Sequence, residues 1–435
     1  MASAAVAQTP AQKLEELMKG YAAHGPFNGA VLVARHDSIL LQQAYGEQDL
    51  ATDKMLTNNS IFMIGSITKQ FTSTVILQLE EEGKLKTSDK LSKYFTKAAL
   101  KPGDSITIEQ LLSHTAGLFN YTNDTAILGS GVNKPHTQSQ IMALFSQKPL
   151  QFAPGTGWEY SNSGYFLLGM VIEKITGKSY EWNIRRRIFE PLGMSQSGFD
   201  FTRLASADKA VGYLGKLGKK GTPAPIMDSS ITFAAGAIYS TTGDLYKWAR
   251  AVMAGKLLSA ASWKKAFTPV RNNYGYGWGI IAEPPGGVAH SGGVHGFNSS
   301  IYLVPEQQLA VIQLSNVNTG IEAEITKETL ALLNDKPYQV PTERKSIALD
   351  SAQLKEYEGI YEMMPGIRFT VAQVSGNLMA QLTNQPAIEI YASEKDHFFY
   401  KVVKAEIQFK RNAAGKVDQL VLFQNGREIP CKKLP

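Results

Sequence analysis

Apolar and polar positions along the chain follow two periods, and each change of period marks an element. Leu14 to Tyr21 repeat at helical spacing until His24-Gly25-Pro26 stops them. Gly29 to Ala34 and Ile39 to Tyr45 are apolar runs separated by Arg35-His36-Asp37-Ser38, a pattern that predicts a hairpin. Ile61 to Ile64 form another apolar, partly β-branched run that ends in Gly65. From Ser66 the spacing turns helical and continues through Val75, Ile76, Leu77 and Leu79 to Gly83, so Ser66 is expected to open a helix.

Beyond Lys90 the pattern is helical and loop-rich. Thr107 to Leu112 predict a short helix with Asp104-Ser105 as its cap, Tyr165 to Ile175 a helix closed by Gly177, and Leu245 to Met253 another. Tyr274 to Ile281, Ser299 to Val304 and Leu309 to Ser315 read as strands, and Glu322 to Leu333 as a last helix. The expected class is α+β, an antiparallel sheet flanked by N- and C-terminal helices with an all-helical insert, over residues 8–335. Residues 336–350, with Pro337 and Pro341, read as a linker. Residues 351–435 change texture. Short alternating segments at Phe369 to Val374, Leu378 to Leu382, Phe398 to Val403, Ile407 to Lys410 and Gln419 to Phe423 are punctuated by Pro365-Gly366, Ser375-Gly376-Asn377 and Asn425-Gly426. They predict a small antiparallel β-barrel domain.

Composition narrows the classes. A chain of 435 residues, 43% hydrophobic and 19% charged, buries a large core and fits two domains of a soluble protein. The longest apolar run, Tyr165 to Ile172, is too short to span a bilayer and ends in Glu173-Lys174. The net charge of +6 comes from scattered lysines and arginines, so no nucleic-acid partner is expected. A single cysteine, Cys431, excludes an intrachain disulfide. Ala5-Val6-Ala7 before Gln8 has the small-x-small look of a secretory cleavage site, with no basic or apolar stretch ahead of it. A trimmed signal and a periplasmic or secreted location are the expectation.

The chemistry centres on Ser66-Ile67-Thr68-Lys69. Ser-x-x-Lys places hydroxyl and amine one turn apart on one helix face, a way to activate a serine without a histidine. The same spacing recurs at Ser206/Lys209 and Ser262/Lys265, but only Ser66 combines a preceding glycine, a helix start and a following amphipathic helix. Tyr160-Ser161-Asn162 on a glycine-bounded turn and His290-Ser291-Gly292-Gly293 ahead of a strand supply a proton path and an oxyanion hole. His114, in Ser113-His114-Thr115, reads as a structural histidine.

In this order the three motifs resemble those of the penicillin-binding protein and serine β-lactamase superfamily, in particular its class C β-lactamase, D,D-peptidase and esterase branch. Tyr121-Thr122-Asn123 imitates the second motif but lacks the Pro154-Gly155 turn before it and the Gly164-Tyr165 helix after it. The resemblance implies a serine hydrolase that needs no metal or cofactor. It makes Ser66 the nucleophile, gives Lys69 and Tyr160 the serine proton, and sets Asn162, His290 and Ser291 against substrate. Backbone N–H groups of Ser66 and Gly293 would hold the oxyanion. Tyr160 is expected to be shifted toward phenolate by adjacent cations, and His290 to contact it. His290 stands where the β-lactamases carry lysine, which favours D-amino-acid peptides or small esters over β-lactams. Alternatives are a carboxylesterase, a class C type β-lactamase, or a penicillin-binding sensor that does not turn over. The C-terminal domain resembles lipocalin-like appendages of D-aminopeptidase relatives. Oligomeric state is left open.

Overall fold

A computed structural model describes residues 8–434 except 125–130, 218–219, 284, 384, 386, 402, 404 and 425–426. The Ala5-Val6-Ala7 segment and the Asn425-Gly426 turn lie outside the described residues. The chain forms two compact units. One comprises residues up to Glu15 with Phe27–Pro337, the other Glu16–Pro26 with Tyr338–Pro435.

The first unit is built on a six-stranded antiparallel sheet of β1 (Gly29–Arg35), β2 (Ser38–Tyr45), β3 (Gly279–Ile281), β4 (Gly287–Val294), β5 (Phe297–Val304) and β6 (Leu309–Ser315). Its order is β2-β1-β6-β5-β4-β3, with Leu32 opposite Ile312 and His290 opposite Ile301. The helices of this unit are α2 (Thr68–Glu81), α3 (Asn162–Thr176), α4 (Ser229–Gly236), α5 (Thr242–Met253) and α6 (Glu322–Leu333), with shorter turns between them, while α1 (Pro10–His24) is divided between the two units at Glu15/Glu16. Side chains alternate across a strand, and β6 uses both faces. Gln313 donates to Thr326 Oγ1 of α6 at 2.7 Å, while Ile312 and Leu314 join the main core with Leu245 and Trp248 of α5.

Helix α2 runs through that core. Phe71, Val75, Ile76, Leu77 and Leu79 are fully buried, and the Phe71 ring stacks on Trp248 with centroids 4.4 Å apart. A helix enclosed on every side is fixed in position by packing rather than by propensity. Whatever projects from its first turn is therefore held firmly.

Residues 359–433 close into an eight-stranded antiparallel barrel: β7 (Gly359–Met364), β8 (Ile367–Val374), β9 (Asn377–Leu382), β10 (Ile388–Glu394), β11 (His397–Tyr400), β12 (Ala405–Arg411), β13 (Val417–Gln424) and β14 (Arg427–Lys433). Tyr361, Phe369, Phe398, Phe409 and Leu420 fill its interior.

Several boundaries differ from the sequence reading. Ser66 lies in a 3-10 turn, Gly65–Ile67, and the α-helix proper begins at Thr68. Thr107, not Asp104-Ser105, caps Ile108–Leu112, because its hydroxyl accepts from Gln110 N–H while the Gln110 side chain returns to its backbone. The third motif lies within β4, not ahead of a strand, since Val288 to Val294 pair without interruption with β5. Two glycines and a serine at its centre hide the strand from an apolar-run reading. The insert also holds a two-stranded ribbon, Tyr213–Leu217 with Lys220–Pro223.

Candidate active site

Gly65 and Gly292 bring the first and third motifs together. Gly65 has φ +49°, and a Cβ there would lie 2.9 Å from Gly293 N. A Cβ on Gly292 would fall 2.1 Å from the Ile64 carbonyl oxygen. Only glycine allows backbones this close, so the Gly65–Ser66 turn and the end of β4 lie in direct contact.

Lys69 is fully buried one turn after Ser66. Its Nζ is 3.0 Å from Ser66 Oγ, 2.8 Å from Asn162 Oδ1 and 2.8 Å from the Ala235 carbonyl oxygen. Burial lowers its pKa well below the usual lysine value. A neutral amine has two hydrogens and one lone pair. Two carbonyl oxygens accept two of the Nζ hydrogens and Ser66 Oγ is the third partner, so in the neutral form that burial favours the lone pair faces the serine hydroxyl.

Asn162 is the first residue of α3. Its N–H donates to Asn120 Oδ1 at 3.1 Å and its Nδ2 to Thr122 Oγ1 at 3.0 Å. With its amide fixed from that side, Oδ1 must face Lys69. The Tyr121-Thr122-Asn123 imitation of the second motif is thus part of the site's support. Asn120 caps the 3-10 turn Tyr121–Asn123 and α3 together, a role that a lone loop asparagine does not announce in sequence.

Tyr160 precedes α3 on an extended stretch and is half-buried. Lys69 Nζ lies 4.8 Å from its ring centroid. Desolvation holds its phenol above the usual range, and a hydrogen bond to the Ser66 side chain opposes that only in part. The expected shift toward phenolate is therefore reversed. The reason is physical: the burial that raises the phenol also disfavours the charged form of the lysine that would stabilise a phenolate.

His114 backs this tyrosine. Its ring lies 4.3 Å from the Tyr160 ring, its Nδ1 accepts from Ser161 N–H at 3.2 Å, and its carbonyl accepts from Glu159 N–H at 3.1 Å. Both neighbours of Tyr160 are thereby tied to one buried histidine. Its φ of +60° is what turns ring and carbonyl toward the same segment.

His290, on β4, does not bond Tyr160. Its Nδ1 is 2.6 Å from the Ser291 carbonyl oxygen, so Nδ1 carries the proton and Nε2 accepts from Tyr274 Oη at 2.8 Å. Burial first, and Lys69 second, lower its pKa to about 4.

The other two Ser-x-x-Lys pairs do not assemble. Lys209 Nζ donates to the carbonyls of Thr202 and Leu204, and Lys265 Nζ to Glu80 Oε2 at 2.8 Å.

Ser66 and Gly293 open on a cavity of about 370 Å³, lined also by Tyr121, Asn162, Met227, Ala235 and Val294. Among the described residues no cluster of His, Cys, Asp and Glu is arranged to hold a metal.

Residues 11–336 match the Beta-lactamase family, and residues 343–433 match DUF3471, a domain of unknown function. The chain belongs to the beta-lactamase family. Penicillin-binding protein 4* of Bacillus subtilis is 29% identical over 97% of this chain and 98% of that protein. The putative penicillin-binding protein PbpX of the same organism is 34% identical over 72% of this chain and 75% of that one. The octameric penicillin-binding protein homologue from Pyrococcus abyssi has a TM-score of 0.66 at 26% identity and covers 97% of this chain and 99% of its own. A D-stereospecific amidohydrolase from Streptomyces sp. gives 0.63 at 26%, covering 74% and 98%.

Proposed function

We propose that this member of the family is a serine hydrolase that cleaves an amide or ester bond through an acyl-enzyme on Ser66. The observation that carries the reading is the seating of Lys69, whose Nζ lies 3.0 Å from Ser66 Oγ and is held there by the Asn162 side-chain and Ala235 main-chain carbonyls. Ser66 Oγ bonds to the substrate carbonyl carbon as its proton passes to Lys69 Nζ. The negative oxygen is held by the N–H groups of Ser66 and Gly293. Collapse breaks the bond to the amine or alcohol, which leaves with the proton that Lys69 returns, directly or through the Tyr160 hydroxyl. Water then attacks the acyl-enzyme by the same route in reverse and frees Ser66.

D-amino-acid peptides and small esters are the proposed substrate range. A strand edge supports an extended acyl donor: β3 pairs with β4 only from Gly287 to Ala289, so among the described residues His290 to Val294 have no strand partner on that side. An extended substrate fits there by main-chain hydrogen bonds.

The test is intact mass after a fluorophosphonate. Wild type should gain one adduct on the Ser66 peptide, and Ser66→Ala none. Label that persists in Ser66→Ala, or that maps to Ser206 or Ser262, would defeat the assignment. Steady-state release of p-nitrophenol beyond one equivalent separates a hydrolase from a sensor that stops at the acyl-enzyme.

A further inference from the structure

Among the described residues, no aspartate, glutamate, lysine or arginine lines the cavity beside Ser66. Its twelve lining residues are Ser66, Asn162 and Gly293 with Tyr121, Thr122, Met227, Thr232, Ala235, Gly236, Val294, His295 and Asn318. The carboxylates nearest along the chain are engaged elsewhere. Asp228 accepts from Ser230 N–H at 2.9 Å as the cap of α4, and Asp124 pairs with Lys148 at 3.5 Å. The site's two basic groups are already engaged: Lys69 Nζ is bonded to Ser66 Oγ and to two carbonyl oxygens, and both His290 nitrogens are bonded.

Taking the acyl-enzyme reading as its premise, we propose that the site accepts acyl donors whose acyl portion is electrically neutral, such as simple esters and N-acylated D-amino-acid amides, and discriminates against a free α-ammonium or α-carboxylate.

The physical reason is desolvation without compensation. A charged group that gives up part of its hydration against uncharged walls is tolerated only with a counter-charge or several aligned dipoles. An α-ammonium needs a carboxylate, and an α-carboxylate needs an arginine, a lysine or a protonated histidine. Among the described residues the cavity walls hold no carboxylate, arginine or lysine, and burial disfavours protonation of their one histidine, His295. The site's own groups respond to the same environment, since burial lowers the pKa of Lys69, His290 and His295 and raises that of Tyr121 and Tyr160. Five titratable groups are driven toward neutrality, and a substrate charge meets the same penalty.

Two matched pairs test this on the purified full chain. One is p-nitrophenyl butyrate against p-nitrophenyl hemisuccinate, which differ by a terminal carboxylate. The other is N-acetyl-D-alanine p-nitroanilide against D-alanine p-nitroanilide, which differ by an α-ammonium. The expected result is kcat/KM at least about tenfold higher for the neutral member of whichever pair is cleaved, at pH 7, a discrimination of the size a mismatched polar group produces. For D-alanine p-nitroanilide the gap should close toward pH 9, because an α-amine loses its proton near pH 8. Val294→Asp, which adds a carboxylate to the wall, should raise the ratio of free-amine to N-acetyl substrate. Equal or better rates on the charged members, or a gap that ignores pH, would overturn the neutral class while leaving the hydrolase intact. No turnover together with no Ser66 label would remove the premise and this inference with it.

Discussion

The Ala235 carbonyl reaches Lys69 because Phe233, two residues earlier, leaves helical geometry. Phe233 has φ +36° and ψ −130° inside α4, and beyond it the carbonyls of Ala234 and Ala235 accept from Thr72 Oγ1 at 2.7 Å and Lys69 Nζ at 2.8 Å. Its ring is held by Phe166, Tyr180 and Phe199, with centroids 5.1, 5.2 and 6.3 Å away. A positive φ on a bulky residue is strained and persists only where packing over-determines it. Here the aromatic wedge fixes the bend, and the bend orients the amine.

Phe233→Ala is expected to let the bend relax and to slow fluorophosphonate labelling of Ser66 by up to about 100-fold, the scale of a roughly 1 Å misplacement of a reacting group. Phe233→Tyr keeps the wedge and should retain most of the rate. The deciding measurement is a double-mutant cycle with Lys69→Ala. If Phe233 acts through Lys69, adding Phe233→Ala to Lys69→Ala costs nothing more. A full further loss would mean general damage to the site.

Lys69 gives a pH-dependent stability signature. Its folded pKa is depressed, so between the unfolded lysine value of about 10.4 and the folded value the unfolded chain takes up a proton that the folded chain refuses. Its contribution is full above the unfolded pKa and is lost as pH falls toward the folded one. Lys69→Met removes this linkage and also removes the base. The Tm difference, variant minus wild type, should grow as pH falls from 10 to 7, while kcat falls at least about a hundredfold. A difference that is flat with pH would mean that Lys69 stays charged in the folded protein.

His290 follows the same rule in a lower window. With its pKa lowered from 6.5 to about 4, it remains neutral in the folded protein at pH 6. Stability that it contributes above pH 6.5 is lost between 6.5 and 4, and His290→Gln should flatten the fall in Tm there. His290→Lys places a cation on the edge strand. It should raise kcat/KM for nitrocefin relative to p-nitrophenyl butyrate, because the lactam carries a carboxylate and the ester does not. An unchanged ratio would place this side chain outside the substrate's reach.

The parts of this protein legible in its sequence are those where local pattern and tertiary role agree. The hairpin of β1 and β2 and helix α6 carry clean periodicity, and α6 spans the predicted Glu322–Leu333. Ser66 and Lys69 are legible because their spacing encodes their proximity. Asn120, Phe233 and Ala235 are not, since their contributions are a cap, a strained turn and a main-chain carbonyl, none of which has a side-chain signature. The protonation states are equally hidden. Residue type suggested a phenolate at Tyr160 and a contact with His290, whereas burial keeps the phenol neutral and Tyr274 takes the histidine. In the barrel, five segments were visible by alternation, and closure required β7, β10 and β14, whose polar and intermediate positions blur the period.

The eight strands at the C-terminal end pair in a ring, with β7 bonded to β14 through Tyr361 and Lys433. A ring has no first or last strand, so its main chain offers no unsatisfied ladder to another polypeptide. Contacts of this domain with other molecules are therefore left to side chains and turns. The six-stranded sheet keeps the opposite arrangement, with the seam from His290 to Val294 open beside Ser66 among the described residues. One chain thus pairs a closed ladder with an open one, and of the two only the open one can be extended by a further strand.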